Sequence, residues 1–518
     1  MSTCIYLGNC VSDEIKVTSR AGTFNGYLET VDKDNKLIVA KFLGIPYAEP
    51  PIGERRFAKP VSKAPLDTAY DALYFSPACK YGKNIKALGF PKRTSEDCLY
   101  LNVYVPHKKT SSSQEPISYP VMIWIHGGGF EWGYSDPYTA DTLSTFGEVI
   151  VVTINYRLSI WGFGSTGDDN LPGNYGLWDQ HTAIQWVHDN IASFGGDTSR
   201  VTLFGDSAGA ASASYQGFFP GNEGLVHRVI AQSGSLLSPW AFKPSPMMEF
   251  RQVAVTAGCA PNNNTNTEEM VACMRQLPEN KLEAAVKKNM AYVFGPVVDG
   301  SFIITWPEDM ARGKKGGASR LELFRSLDLL NGVTNAEGFV VFPIEFFGDR
   351  FRDTENVAIS KEFLESFVSH LPHIVVSSHN ERNAILQEFV VAEYTDWSNP
   401  ENSTIRRDQF MQLIADFEVN VPQVITSNRH ATNNKQSKTF LYHMDFTPTV
   451  NGLAMPSWGK GLNHASDLPY VFGFDKGMVE SFPALQGTST FRGPQLHPFD
   501  KDISDQVMTM WTNFAKSG

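Results

Sequence analysis

The 518-residue sequence predicts an α/β protein: a large, mixed, mostly parallel central sheet flanked by helices, with an antiparallel part at the amino-terminal end. Three observations point there. Short β-branched and aromatic runs alternate with longer helical patterns from about residue 100 to 235. The longest apolar runs, "VMIWI" at 121–125 and "VIVVTI" at 149–154, have the length of buried strands. The amino-terminal stretch instead alternates residue by residue and carries turn pairs such as Asp34-Asn35, the pattern of antiparallel hairpins.

Taken in order, strands are expected at 99–105, 121–125, 149–155, 200–205 and 227–234. Between the third and fourth lies "LWDQHTAIQWVHDNIASFGGD", where Ile184, Val187 and Ile191 recur at helical spacing and Gly195 and Gly196 end the helix. Strand, helix, strand in this order implies parallel pairing. Beyond residue 245 helical patterns dominate, at 245–258, 360–370, 379–394 and 405–420, interrupted by strands near 326–331 and 438–445. There is no internal repeat and no long Pro- or Ser-rich linker, so one domain over residues 1–518 is the simplest account. The polar "PNNNTNT" at 261–267 reads as a surface loop.

Composition excludes some functions. A net charge of −11 without clustered Lys and Arg argues against nucleic acid. The apolar runs fall far short of the roughly 20 residues that cross a bilayer, so no transmembrane segment is expected. "MSTCIYLGNC" has neither the basic start nor the apolar stretch of a secretory signal. The six cysteines form three local pairs, Cys4 with Cys10, Cys79 with Cys98 and Cys259 with Cys273. Such spacing fits disulfides closing short loops, or else buried free thiols in a cytosolic enzyme; no C-x-x-C suggests zinc. Acceptor patterns at Asn263 and Asn402 lean toward the secretory route and glycosylation.

"TLFGDSAGAASASY" (202–215) places Ser207 between Gly205 and Gly209, after a strand and before a run of small residues. A G-x-S-x-G arises by chance on the order of a few tenths of a time in a glycine-rich chain of this length, so the pattern alone leaves a plain helix-start serine open. "HGGGF" at 126–130, directly after the buried "VMIWI", changes the balance: adjacent glycines let peptide N–H groups face a substrate unobstructed. By position, the amides of Gly128, Gly129 and Ala208 form an oxyanion hole. An acid and a base should follow in the order serine, acid, histidine. Glu337 in "NGVTNAEGF" and His464 in "GKGLNHASDLPYVFG" lie where loops leave strands. Position alone leaves several later histidines open, although His443 reads as a strand residue and His430 and His497 as superficial.

"FLGIPYAEPPIGERRF" (42–57), "SEDCLYLNVYVP" (95–106), "HGGGF" and "GDSAGAAS" together resemble the type-B carboxylesterase family, which contains cholinesterases, liver carboxylesterases, bile-salt-activated lipase and the non-catalytic neuroligins. The stretches 165–197, 231–240 and 510–518 look most like bile-salt-activated lipase and animal carboxylesterases. The resemblance implies an α/β-hydrolase fold, a triad of Ser207, Glu337 and His464, and family disulfides Cys79 with Cys98 and Cys259 with Cys273. It implies no counterpart for Cys4 and Cys10, and neither a metal nor an organic cofactor.

Departures from the family pattern narrow the expectation. Asp206 stands before the serine where most catalytic relatives have Glu; it can stabilise a developing imidazolium or simply wall the turn. No tryptophan lies between Cys79 and Cys98, which removes the cation–π surface of a choline site and disfavours a cholinesterase. Trp240, Met290, Tyr292 and Phe294 match the family's acyl-pocket segments, with the core as the alternative. The expected activity is hydrolysis of a small-molecule or lipid ester, its substrates apolar, by a secreted or secretory-lumen monomer or homodimer. The rivals are a neuroligin-like binding protein and an interfacial lipase.

Overall fold

The computed structural model describes residues 14–31, 37–82, 93–107, 118–262, 264–289, 293–339, 357–371, 380–449, 458–474 and 497–518. Asp34-Asn35, Cys4, Cys10, Asn263, Met290 and Tyr292 lie outside the described residues. The main strands are β1 (Glu14–Ser19), β2 (Gly22–Thr30), β3 (Ile38–Pro46), β4 (Tyr100–His107), β5 (Tyr119–Ile125), β6 (Ile150–Ile154), β7 (Gly196–Asp206), β8 (Arg228–Gln232), β9 (Asp328–Thr334) and β10 (Thr439–Met444). They form one sheet in the order β1-β2-β3-β4-β6-β5-β7-β8-β9-β10, with the short Tyr70–Asp71 beside β2.

From β6 through β10 every neighbouring pair is parallel, while β1 to β4 pair antiparallel and β4 meets β6 antiparallel. The expected mixed sheet with an antiparallel amino-terminal part is therefore present. Its centre is covered on both faces, which is why β5 reads as an unbroken apolar run. Val121, Ile123 and Ile125 point into one core while Met122 and Trp124 point into the other.

The helix Tyr175–Asn190 covers the first face and ends in a 3₁₀ turn closed by Gly195, whose φ of 86° is the left-handed conformation that glycine adopts at low cost. On the second face the helix Pro498–Ser517 buries Val507, Met508, Trp511 and Phe514. The helix expected at 405–420 starts earlier, at Ser403, because the Asn402 side chain accepts from the Thr404 and Ile405 amides. It ends at Ala415, passes through a π turn over Asp416–Asn420 and continues as Val421–Ala431, whose Pro422 sits in the first turn where no N–H is needed.

His430, expected at the surface, is fully buried. Its Nε2 donates to the carbonyls of Phe324 and Leu327, and its Nδ1 pairs with Thr439 Oγ1 at 2.7 Å. The sequence shows a polar residue near a helix end; these partners lie on other segments. Cys79 bonds to Cys98 and Cys259 to Cys273, the second bridge enclosing the polar 261–267 stretch. Among the described residues no helix is long and apolar enough to cross a membrane.

Candidate active site

Ser207 follows the last residue of β7 and precedes the helix Ala208–Gly217. Its φ of 57° and ψ of −122° are unusual for a residue with a Cβ and cost on the order of 1–3 kcal/mol. Tight packing holds the turn. A Cβ on Gly209 would lie 1.9 Å from the carbonyl oxygen of Ile125, and one on Gly205 2.6 Å from the same atom. The helix that follows is buried along its whole length, which explains its run of Ala, Gly and Ser.

The glycine loop lies against this turn: a Cβ on Gly127 would come within 3.2 Å of the Ser207 Cβ. Gly128 and Gly129 have φ of 109° and 62°, and the space beside Gly129 is open. Among the described residues nothing accepts a hydrogen bond from the amides of Gly128, Gly129 or Ala208. Ala208 is the first residue of its helix, where the amide has no intrahelical acceptor. Among the described residues these three main-chain donors are unused, on the two segments that meet at the Ser207 turn.

Glu337 and His464, 127 residues apart, are joined by a 2.6 Å hydrogen bond from His464 Nδ1 to Glu337 Oε2. Glu337 opens a short 3₁₀ turn just beyond β9. Its Oε1 accepts from Ser233 Oγ at 2.5 Å and from the Thr334 amide at 2.7 Å. The loop bearing His464 is fixed to the same strand end: Asn335 Oδ1 accepts from the Leu462 amide, and Ala336 bridges to Asn463. Gly461 permits that approach, since a Cβ there would strike Asn335 Oδ1 at 2.5 Å.

Ser207 shares this end of the sheet. Its amide donates to the carbonyl of Gln232, the residue before Ser233, and a Cβ on Gly234 would meet the Ser207 carbonyl at 2.4 Å. Among the described residues no hydrogen bond joins the Ser207 hydroxyl to the imidazole.

The electrostatics follow from burial. At Glu337 burial disfavours charge, but His464 and the hydrogen bonds from His464, Ser233 and Thr334 outweigh it and hold the pKa below the usual glutamate value. Burial drives Asp206 well above the carboxylate range, and its Oδ1 is buried with no hydrogen-bond partner among the described residues. Asp467, three residues past the histidine, is lifted by burial to about 6 while its Oδ2 accepts from Gln232 Nε2. At His464 burial disfavours charge, but Asp206, Glu337 and Asp467 together raise the pKa to about 9. The shifts of Asp206 and His464 concern one proton: carboxylate beside imidazolium, or carboxylic acid beside neutral imidazole. In the first form His464 must lose its proton before it can accept one from Ser207.

Of the residues expected to line a pocket, Trp240 is partly buried, its ring 6.3 Å from Phe130, and its indole N–H donates to the Glu418 carbonyl. Phe294 is buried and its amide donates to Glu131 Oε1 at 2.5 Å, so both meet the segment just after the glycines. Asn402 is exposed, its Oδ1 occupied in capping. Ser233, Gln232 and Asp467 were not singled out from the sequence. Asp467 sits in the quoted loop of His464, and Ser233 in a strand-end "QSG"; neither has a spacing that reveals its partner.

The strand order, the strained turn after β7 and the loops gathered at the carboxyl ends of the parallel strands define an α/β-hydrolase fold. A model described as the Carboxylesterase family matches residues 13–518, and the chain belongs to that family. It is similar to human (Homo sapiens) neuroligin-2, 32% identical over 549 residues covering 99% of this chain and 61% of the relative. Mouse (Mus musculus) neuroligin-3 is 34% identical over 521 residues, covering 93% and 58%. Acetylcholinesterase of Bungarus fasciatus is 33% identical over 539 residues, covering 100% and 80%. The chain thus spans about three fifths of the length of these neuroligins.

Proposed function

We propose that this chain is a serine carboxylic-ester hydrolase, carried by one domain, that works through an acyl-serine intermediate. The observation that carries the reading is the buried His464–Glu337 pair at the same strand ends as a strained serine, whose turn meets a glycine loop with amide donors unused among the described residues. In the proposed cycle His464, oriented by Glu337, takes the Ser207 proton as the hydroxyl attacks the ester carbonyl. The amides of Gly128, Gly129 and Ala208 meet the oxyanion, each worth about 3–4 kcal/mol in the transition state. The alcohol leaves with the proton, and water then releases the acid by the same path.

Trp240 and Phe294 are assigned to the acyl side of an apolar pocket, Met290 and Tyr292 being candidates from the sequence alone, and the substrate class is an apolar carboxylic ester of carboxylesterase or bile-salt-activated-lipase type. The absence of tryptophan between Cys79 and Cys98 is the reason a choline ester is not proposed. Two disulfides support a secreted or lumenal location. Similarity to neuroligins favours a second reading, a binding protein of neuroligin type.

Fluorophosphonate labelling with intact-mass readout separates the two. One adduct on the parent chain, absent in Ser207→Ala, supports the esterase; no adduct, with no turnover of p-nitrophenyl esters, supports the binding protein. Rates across acyl chain lengths, with and without bile salt, then divide carboxylesterase from interfacial lipase.

A further inference from the structure

His126 opens the "HGGGF" segment, and the mechanism above gives it no task. It is completely buried. Its Nδ1 lies 2.9 Å from the carbonyl oxygen of Gly127. A carbonyl only accepts, so the proton is on Nδ1 and the neutral ring carries a bare lone pair on Nε2. That Nε2 is buried with no hydrogen-bond partner among the described residues. Burial pulls the imidazole pKa down to about 4, against a smaller opposing effect of the Gly127 carbonyl, so the ring stays neutral across the working range of an esterase.

Two further contacts fix the ring. It stacks on Tyr156 with centroids 4.4 Å apart and planes 20° apart, and the Tyr156 hydroxyl donates to the His126 carbonyl at 2.8 Å. Gly133, with φ of 123°, leaves the ring its space: a Cβ there would lie 2.4 Å from His126 Nδ1 and 2.6 Å from the Gly127 carbonyl oxygen.

The consequence lies in peptide geometry. In a trans peptide the Gly127 carbonyl and the Gly128 N–H point in opposite directions across one rigid plane. Holding the carbonyl aims the amide. The next plane is held in the same way, because the Gly128 carbonyl accepts from the amides of Glu131 and Trp132 at 3.0 and 3.1 Å, which turns the Gly129 N–H the other way. Glycine has the widest conformational freedom of any residue, so an unrestrained Gly-Gly-Gly loop would spread its donors over many orientations. We propose that His126 is a positioning residue, its Nδ1–H clamping the Gly127–Gly128 peptide so that the Gly128 amide is preset toward the oxyanion. This rests on the esterase reading.

The test uses the whole chain with three substitutions. Asn places an amide N–H where imidazole has Nδ1, Gln places it where imidazole has Nε2, and Phe keeps the ring on Tyr156 with no donor. For each variant the measurements are kcat and KM on a p-nitrophenyl ester and the inhibition constant of a trifluoromethyl ketone, whose serine adduct carries an oxyanion. His126→Phe and His126→Gln should lose about 10- to 100-fold in kcat, with KM changed less than about threefold and the ketone weakened by the same factor as kcat. His126→Asn should recover most of both.

Should His126→Phe fail to fold, the Asn and Gln pair, alike in polarity, still decides. Variants that match the parent in kcat and ketone affinity overturn the inference, as does an Asn variant no better than Gln. A parent chain that neither labels at Ser207 nor turns over esters overturns the esterase reading instead, and this inference with it.

Discussion

Glu337→Gln is the substitution whose outcome the geometry determines most tightly. The parent carboxylate receives three hydrogen bonds: His464 Nδ1 on Oε2, and Ser233 Oγ and the Thr334 amide on Oε1. An amide side chain must choose which end carries its NH₂. Thr334 N–H can only donate, so nitrogen at Oε1 would set two donors against each other in a buried site, at about 1–3 kcal/mol. Oxygen therefore stays at Oε1 and the NH₂ faces His464. Imidazole meets it by accepting on Nδ1, which moves its proton to Nε2, the nitrogen that must accept from Ser207. The variant also loses the negative charge that steadies the imidazolium. The loss expected for a wrong tautomer is about 10⁴-fold in kcat, close to about 5 kcal/mol at roughly 1.36 kcal/mol per decade. Steady-state hydrolysis of a p-nitrophenyl ester reads it, with a urea melt confirming that the fold survives. A Glu337→Gln variant retaining kcat within about tenfold of the parent would refute the reasoning, because Glu337 would then not set the tautomer.

Three further outcomes are expected. Gly209→Ala puts a methyl 1.9 Å from a backbone oxygen, where ordinary contact begins at 3.4 Å, so strand and helix must part. It should cost about 2–3 kcal/mol by chemical denaturation and abolish labelling of Ser207, and a variant with parental stability would show the turn to be loose. Asp206→Asn removes the largest influence raising the His464 pKa. Less stabilised as imidazolium, His464 loses its proton at lower pH, so the acidic limb of kcat/KM should move down; a limb that stays or rises rejects the coupling. Replacing Cys259 and Cys273 by serine opens a loop with a sequence separation of 14 and should lower unfolding free energy by about 3 kcal/mol, checked by urea titration.

The sequence by itself determined the parts whose physical cause is local. Strands β5 and β6 announce themselves because a strand buried on both faces needs every side chain apolar, and β1 with β2 because a half-exposed hairpin alternates. Gly205, Gly209, Gly127 and Gly128 were legible because backbone stands where any side chain would go, and Gly129 because its φ of 62° is a conformation that glycine adopts at low cost. Tertiary structure alone decided what depends on segments far apart in the chain. It joined Glu337 to His464 across 127 residues through Asn335, Ala336 and Gly461, brought Ser233 and Asp467 to the same strand ends, and buried His430, which had read as superficial. No periodicity records these meetings, because they are fixed by the register of parallel strands and the packing of loops at their ends, and a histidine carries no local sign of which carboxylate it will face.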